Sequence, residues 1–185
     1  MISEQLKTRF TQLAGLTEIK HNHKNDYGAL MVTIEHPKWD DILSMIEKED
    51  LYTEEPGFGL EHKPHATILF GFHKNSDVNK MKELLKKEAE VIEVKLKKIS
   101  HFEGKEYDVV KIDVESKILH TLNKIMRDNF DYTNDFDKYH PHCTIAYVKK
   151  GLGKKYDKSI EELKFTCNKI TYSPPGTGKK TYFTL

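Results

Sequence analysis

The sequence predicts an α+β fold of two similar lobes facing each other across a central cleft, and three observations carry that expectation. One phrase occurs twice, as Pro64-His65-Ala66-Thr67-Ile68-Leu69-Phe70 and as Pro141-His142-Cys143-Thr144-Ile145-Ala146-Tyr147. Each copy opens an apolar, β-branched run of strand character. Each also closes the same series of strand, helix, loop and His-x-Thr strand, so one architecture is spelled out twice.

The first 26 residues are polar, with a helical stretch over 3–13 and a poorly patterned tail, His21-Asn22-His23-Lys24-Asn25. Residues 28–35 (GALMVTIE) read as a strand. Pro37 suits a first helical position, and Trp39, Ile42, Leu43 and Ile46 follow at helical spacing. A loop with Pro56, Gly57 and Gly59 leads to the first motif strand, 64–71. A helix over 77–89 puts Met81, Leu84 and Leu85 on one face, and 91–99 is again a strand. The second series begins with the alternating strand 107–114 and the amphipathic helix 117–129, which carries Leu119, Leu122, Ile125 and Met126. The polar loop 131–139 leads to the second motif strand, 142–148, and strands follow over 163–172 and 180–185. We expect a single bilobal domain over 1–185, with 1–26 as an N-terminal extension. Residues 27–100 and 164–185 go with the first motif and 101–163 with the second.

Successive side chains of a strand alternate faces, so the His and Thr of each motif point the same way. Two such strands brought together give two imidazoles and two hydroxyls around one cleft. That set suits phosphodiester cleavage without a metal. One histidine takes the nucleophile's proton, the other protonates the leaving oxygen, and the hydroxyls bind phosphate oxygens. His65, Thr67, His142 and Thr144 are therefore the candidate catalytic residues, and which histidine is acid and which is base stays open. Cys143 faces away from His142 and is expected to be a buried thiol. In an unbroken strand Phe70 and Tyr147 also face away, toward the core.

Composition bounds the partners. With 30 Lys+Arg against 29 Asp+Glu the formal charge is +1, which argues against a long nucleic-acid footprint but allows a small anionic ligand in a local pocket. No apolar run approaches the ~20 residues that span a bilayer, and the N-terminus lacks a signal-peptide pattern, so a cytoplasmic, membrane-free monomer is expected. Two cysteines make no disulfide framework. His140-Pro141-His142 and His21-Asn22-His23 lack the further ligands of a metal site, and neither metal nor other cofactor is expected. Gly176-Thr177-Gly178-Lys179-Lys180-Thr181 has Ser173 where a phosphate loop needs its first glycine, and reads as a turn between strands.

The duplicated His-x-Thr strands resemble the signature of the 2H phosphoesterase superfamily, over about residue 27 to the end. The resemblance implies the bilobal, pseudo-symmetric 2H phosphoesterase fold and a metal-independent phosphodiesterase. It assigns acid–base chemistry to His65 and His142, and phosphate contacts to Thr67 and Thr144. The segments 61–67, 107–112 and 139–148 further resemble the phage anti-CBASS nucleases, which degrade cyclic oligonucleotide signals of bacterial immunity. Such members are expected to stack bases on tryptophans, whereas Trp39, the single tryptophan, falls on a helical core pattern. Tyr27, Phe102, Tyr139, His140, Lys150 and Tyr172 are the candidate substrate-binding residues, Lys150 from the lysine-rich run 149–155. The leading function is metal-independent cleavage of cyclic oligonucleotide second messengers, leaving either a cyclic phosphate or an open monoester. The alternatives are a 2′,3′-cyclic phosphate on RNA, a 2′,5′-oligoadenylate, or a nucleotide-binding sponge without turnover.

Overall fold

Eight strands form one antiparallel sheet in the computed structural model, which describes residues 27–54, 57–134, 138–176 and 179–185. The helical stretch expected over 3–13 lies outside these residues. In chain order the elements are β1 (Gly28–Thr33), α1 (Trp39–Leu43), β2 (His65–Phe72), α2 (Val78–Glu88), β3 (Ile92–Phe102), β4 (Tyr107–Glu115), α3 (Lys117–Asn129), β5 (His142–Lys149), β6 (Lys158–Cys167), β7 (Lys169–Ser173) and β8 (Thr181–Thr184). Short 3₁₀ turns lie at Lys48–Asp50 and Gly153–Tyr156. The sheet order is β6-β3-β4-β5-β2-β1-β7-β8, so the two motif strands are central neighbours. Strand β3, grouped above with the first motif, pairs with β4 and β6 on the side of the second.

One face of the sheet is covered by helices because their apolar side chains recur at helical spacing. In α3, Leu119, Leu122, Asn123 and Met126 are buried. The Ser116 hydroxyl caps its first turn by accepting the Leu119 N–H. Asp77 caps α2, its carboxylate accepting the N–H groups of Asn79 and Lys80 at 2.9 and 3.0 Å. The helix expected from Pro37 through Ile46 shortens to five residues. No side chain caps it, and its end tightens into bonds from Met45 and Ile46 N–H to the carbonyls three residues back.

Strands β2 and β5 meet at a single registered pair, Ala66↔Cys143, and then diverge. Each opening is filled by the loop that precedes the other motif strand. Residues 51–52 and 59–61 bridge onto β5, with Glu61 N–H to Ile145 O at 2.8 Å and Tyr147 N–H to Gly59 O at 2.9 Å. Residues 131–133 bridge onto β2, with Thr133 N–H to Gly71 O at 2.9 Å. Helix α3 follows the same exchange. It enters between β4 and β5 yet packs on β2, where the buried Asn123 side chain donates to Ile68 O at 2.7 Å.

Candidate active site

The single pair Ala66↔Cys143 determines the geometry of the site. In an antiparallel pair it places His65 across from Thr144 and Thr67 across from His142, with Cβ atoms about 5 Å apart. Ala66 and Cys143 are fully buried, so the four candidate side chains lie together on the face opposite the helices. Burial pushes the Cys143 thiol pKa up, as befits a core residue and not a nucleophile.

Both imidazoles are oriented in the same way. The Nδ1–H of His65 donates to Lys63 O, and that of His142 to His140 O, each at 2.8 Å. A carbonyl can only accept, so Nδ1 carries the proton and Nε2 is the basic nitrogen of each neutral ring. Both rings are thus arranged to exchange a proton through Nε2. Burial lowers His142 to about 4, with the Lys111 and His65 charges adding to it, against opposing effects from the His140 carbonyl and Asp113.

Phe102 meets the His142 ring edge-on, centroids 5.0 Å apart and planes at 89°. Across β4 lie Asp113, opposite His142, and Lys111, opposite Thr144. Lys111 is only 6% exposed. Its ammonium donates to Asp113 and, at 2.7 Å, to Ser100 Oγ, and lies 4.3 Å over the Phe102 ring. The Ser100 hydroxyl in turn donates to Asp113 at 2.8 Å. Burial alone would raise the Asp113 carboxyl, but the hydrogen bonds from Lys111 and Ser100 outweigh it and hold it below the usual range. This network escaped the sequence reading. Its signal was present: in Tyr107–Glu115, Lys111 and Asp113 share one face while Val110, Ile112 and Val114 form the apolar other.

Beside this network a cavity of about 570 Å³ opens, lined by Phe102, Lys111, Ser116, His120, Tyr139 and His140, among others. Tyr139 donates its hydroxyl to Thr67 O at 2.7 Å, tying the second motif's approach loop to the first motif.

Of the expected substrate-binding residues, Phe102, Tyr139 and His140 therefore lie beside the motifs, and three others do not. Tyr172 is in the core, 2% exposed, its ring 5.6 Å from Phe72 on the helix-covered side. Lys150 follows the Tyr107↔Lys149 pair at the far end of β5, roughly 25 Å along the strand from His142. There Asp108 holds its turn by accepting the Gly151 and Gly153 N–H groups. Tyr27 sits beside Phe70 and His73, near the Gly28↔Phe72 end of β1 and away from His65.

Phe70 and Tyr147 depart from expectation for a common reason. The β1–β2 register skips Ile68, and the β4–β5 register skips Ile145. Each motif strand thus carries a β-bulge three residues after its histidine. Consecutive residues at each bulge, Ile68 and Leu69 in one strand and Ile145 and Ala146 in the other, are buried. The extra residue returns Phe70 and Tyr147 to the histidine face. Tyr147 there packs edge-on against Phe58 and Tyr107, in a cluster with Tyr52.

The model of the family described as the 2′-5′ RNA ligase superfamily matches residues 37–172, a span that contains both motifs. The chain belongs to the 2′-5′ RNA ligase superfamily. As a member it is an enzyme, a phosphodiesterase of the 2H type. Solved structures share the fold. TT0787 of Thermus thermophilus aligns over 86% of this chain and 94% of its own, with a TM-score of 0.61 at 11% identity. E. coli LigT complexed with 3′-AMP aligns over 86% and 95%, with a TM-score of 0.53 at 15% identity. A protein described as a phosphoesterase aligns over 87% and 95%, with a TM-score of 0.51 at 14% identity. No curated protein sequence matches the chain. Among the described residues no helix is long and apolar enough to cross a membrane.

Proposed function

We propose that this superfamily member is a metal-independent phosphodiesterase that cleaves cyclic oligonucleotide second messengers, with His65 and His142 as its proton-transfer pair. The observation that carries the catalytic part is the crossing of β2 and β5, with two Nε2 atoms free for proton transfer beside two threonine hydroxyls. In the step we envisage, one Nε2 accepts the proton of an attacking ribose hydroxyl or water as its oxygen bonds to phosphorus. The bond from phosphorus to the leaving oxygen breaks, and the other imidazolium protonates that oxygen at Nε2. Attack by the ribose hydroxyl leaves a cyclic phosphate, and attack by water an open monoester. Thr67 and Thr144 donate to the nonbridging oxygens, where negative charge accumulates.

The nucleotide part is supported by the cavity of about 570 Å³ beside His142, which has room for a nucleoside and is lined by aromatic, imidazole and lysine groups. LigT, of like fold, has been solved with 3′-AMP and with NADP+. The resemblance of segments 61–67, 107–112 and 139–148 to anti-CBASS nucleases favours a cyclic substrate and a role in viral evasion of immunity. A second reading, a 2′,5′-oligoadenylate or an RNA 2′,3′-cyclic phosphate, is favoured by the family's description.

The test is a substrate panel in EDTA: cyclic di- and trinucleotides, 2′,5′-oligoadenylate and RNA ending in a 2′,3′-cyclic phosphate. Cleavage of the cyclic oligonucleotides is expected to fall by ~10²–10⁴-fold in His65→Ala and in His142→Ala. Turnover of the linear 2′,5′ substrate or the RNA end alone would move the protein to the second reading. Full activity of either histidine variant would overturn the two-histidine mechanism.

A further inference from the structure

The two motifs are related by a near-twofold through Ala66 and Cys143, and the strands flanking them are not. Across β1 from His65 and Thr67 stand Thr33 and Met31, both uncharged. Across β4 from His142 and Thr144 stand Asp113 and Lys111. The neighbourhood of one histidine therefore holds a buried ammonium at a position where that of the other holds a thioether.

An ammonium has three donors, and those of Lys111 are engaged by Asp113, Ser100 and the face of Phe102. None is left for a phosphate oxygen, and the side chain is nearly closed off from solvent. What Lys111 can deliver to the site is its charge. The Phe102 ring touches both that charge and the His142 ring, at 4.3 and 5.0 Å from its centroid. We propose that Lys111 is a positioning residue that divides the labour of the two motifs, holding His142 neutral as the proton acceptor and leaving proton donation to His65.

The other groups around His142 are consistent with this assignment. Asp113 opposes Lys111, but its carboxylate is shared with Ser100 and approached by Lys98 from β3 at 3.9 Å. His65 faces His142 from β2, and His140 and His120 line the adjoining cavity. Burial is the largest cause of the lowering of His142 to about 4, and the Lys111 charge adds to it. A ring so lowered is protonated in roughly one molecule in a thousand at pH 7, a poor donor but an acceptor in its correct state.

This inference rests on the phosphodiesterase reading, and its test separates the two. The histidine ring protons of the full chain are titrated by NMR without substrate in the wild type, Lys111→Met, Lys111→Arg and Lys111→Met/Asp113→Asn. The pH dependence of kcat/KM is measured on the substrate the panel identifies. In Lys111→Met the His142 midpoint and the acid limb should rise together by about half a pH unit or more, with the alkaline limb unmoved. Lys111→Arg should restore both, and the double variant, free of a stranded carboxylate, should still show a rise. A uniform loss of rate without movement of the acid limb would make Lys111 a phosphate contact and overturn the proposal, as would an unshifted His142. A His142 midpoint that moves in a protein inert toward the whole panel would instead overturn the phosphodiesterase reading, and with it the division of roles, while the electrostatic coupling stood.

Discussion

At the scale of single residues, His142 carries a cost of folding that varies with pH. Its folded pKa lies near 4, below the ~6.5 of an unfolded histidine, so the unfolded chain binds the extra proton first. Its contribution to stability is complete above about 6.5 and is lost as pH falls toward 4, by up to ~1.4 kcal/mol per pH unit. His36, lowered mainly by burial between Trp39 and Phe165, contributes in the same direction. Asp50, Asp113 and Glu115 are held below the usual carboxylate values and act at lower pH. Comparing variants therefore isolates His142. Urea unfolding at pH 7 and pH 5 should show the wild type losing between about 1 and 2 kcal/mol more than His142→Asn over that interval. Equal losses would mean that His142 is as free to protonate folded as unfolded.

At the scale of elements, Gly71 decides whether the exchanged loop can lie against β2. Its φ is 102°, and a Cβ there would stand 2.0 Å from the Thr133 carbonyl oxygen. Gly151 has a comparable φ of 83°, with nothing within 4 Å of its Cβ position. Gly151→Ala should therefore cost backbone strain alone, about 1 kcal/mol, and Gly71→Ala at least about 2 kcal/mol more. For a chain of this size that difference is a further fall in Tm of roughly 4–8 °C by calorimetry. Equal Tm values would show that the 131–133 segment moves away without cost. The sequence announced each motif strand to within a residue or two at its ends, and α3 with its own bounds, because apolar periodicity is a local signal. It did not announce the bulges after Thr67 and Thr144, which depend on pairing with β1 and β4, so Phe70 and Tyr147 were placed on the wrong face. Tyr172 and Lys150 lie away from the motifs for a similar reason. Their chemistry suits a cleft, but only the order of strands tells which face or end they occupy. Tyr139 and His140 lie beside the second motif because the chain enters that strand through them, whereas Phe102 reaches His142 only through the pairing of β3 with β4 and of β4 with β5.

At the scale of the molecule, the two motifs share one sheet joined by a single registered pair, and the exchanged parts carry most of the join. Leu122 belongs by sequence to the second motif's series, yet α3 packs over β2. Trp39 belongs to the first, yet α1 packs over β5, and its indole N–H donates to Glu61 O at 2.7 Å. Neither motif strand keeps its helix cover if the other series unfolds, so the site and the fold should be lost in one step. Trp39 fluorescence and far-UV circular dichroism should then report the same urea midpoint. Leu122→Ala, which opens a cavity at a fully buried position, should lower both midpoints together, by a free energy of about 2–5 kcal/mol. Two separated transitions, with the Trp39 signal indifferent to Leu122→Ala, would mean that the series fold independently. The crossing of β2 and β5 would then be a docking contact between two domains.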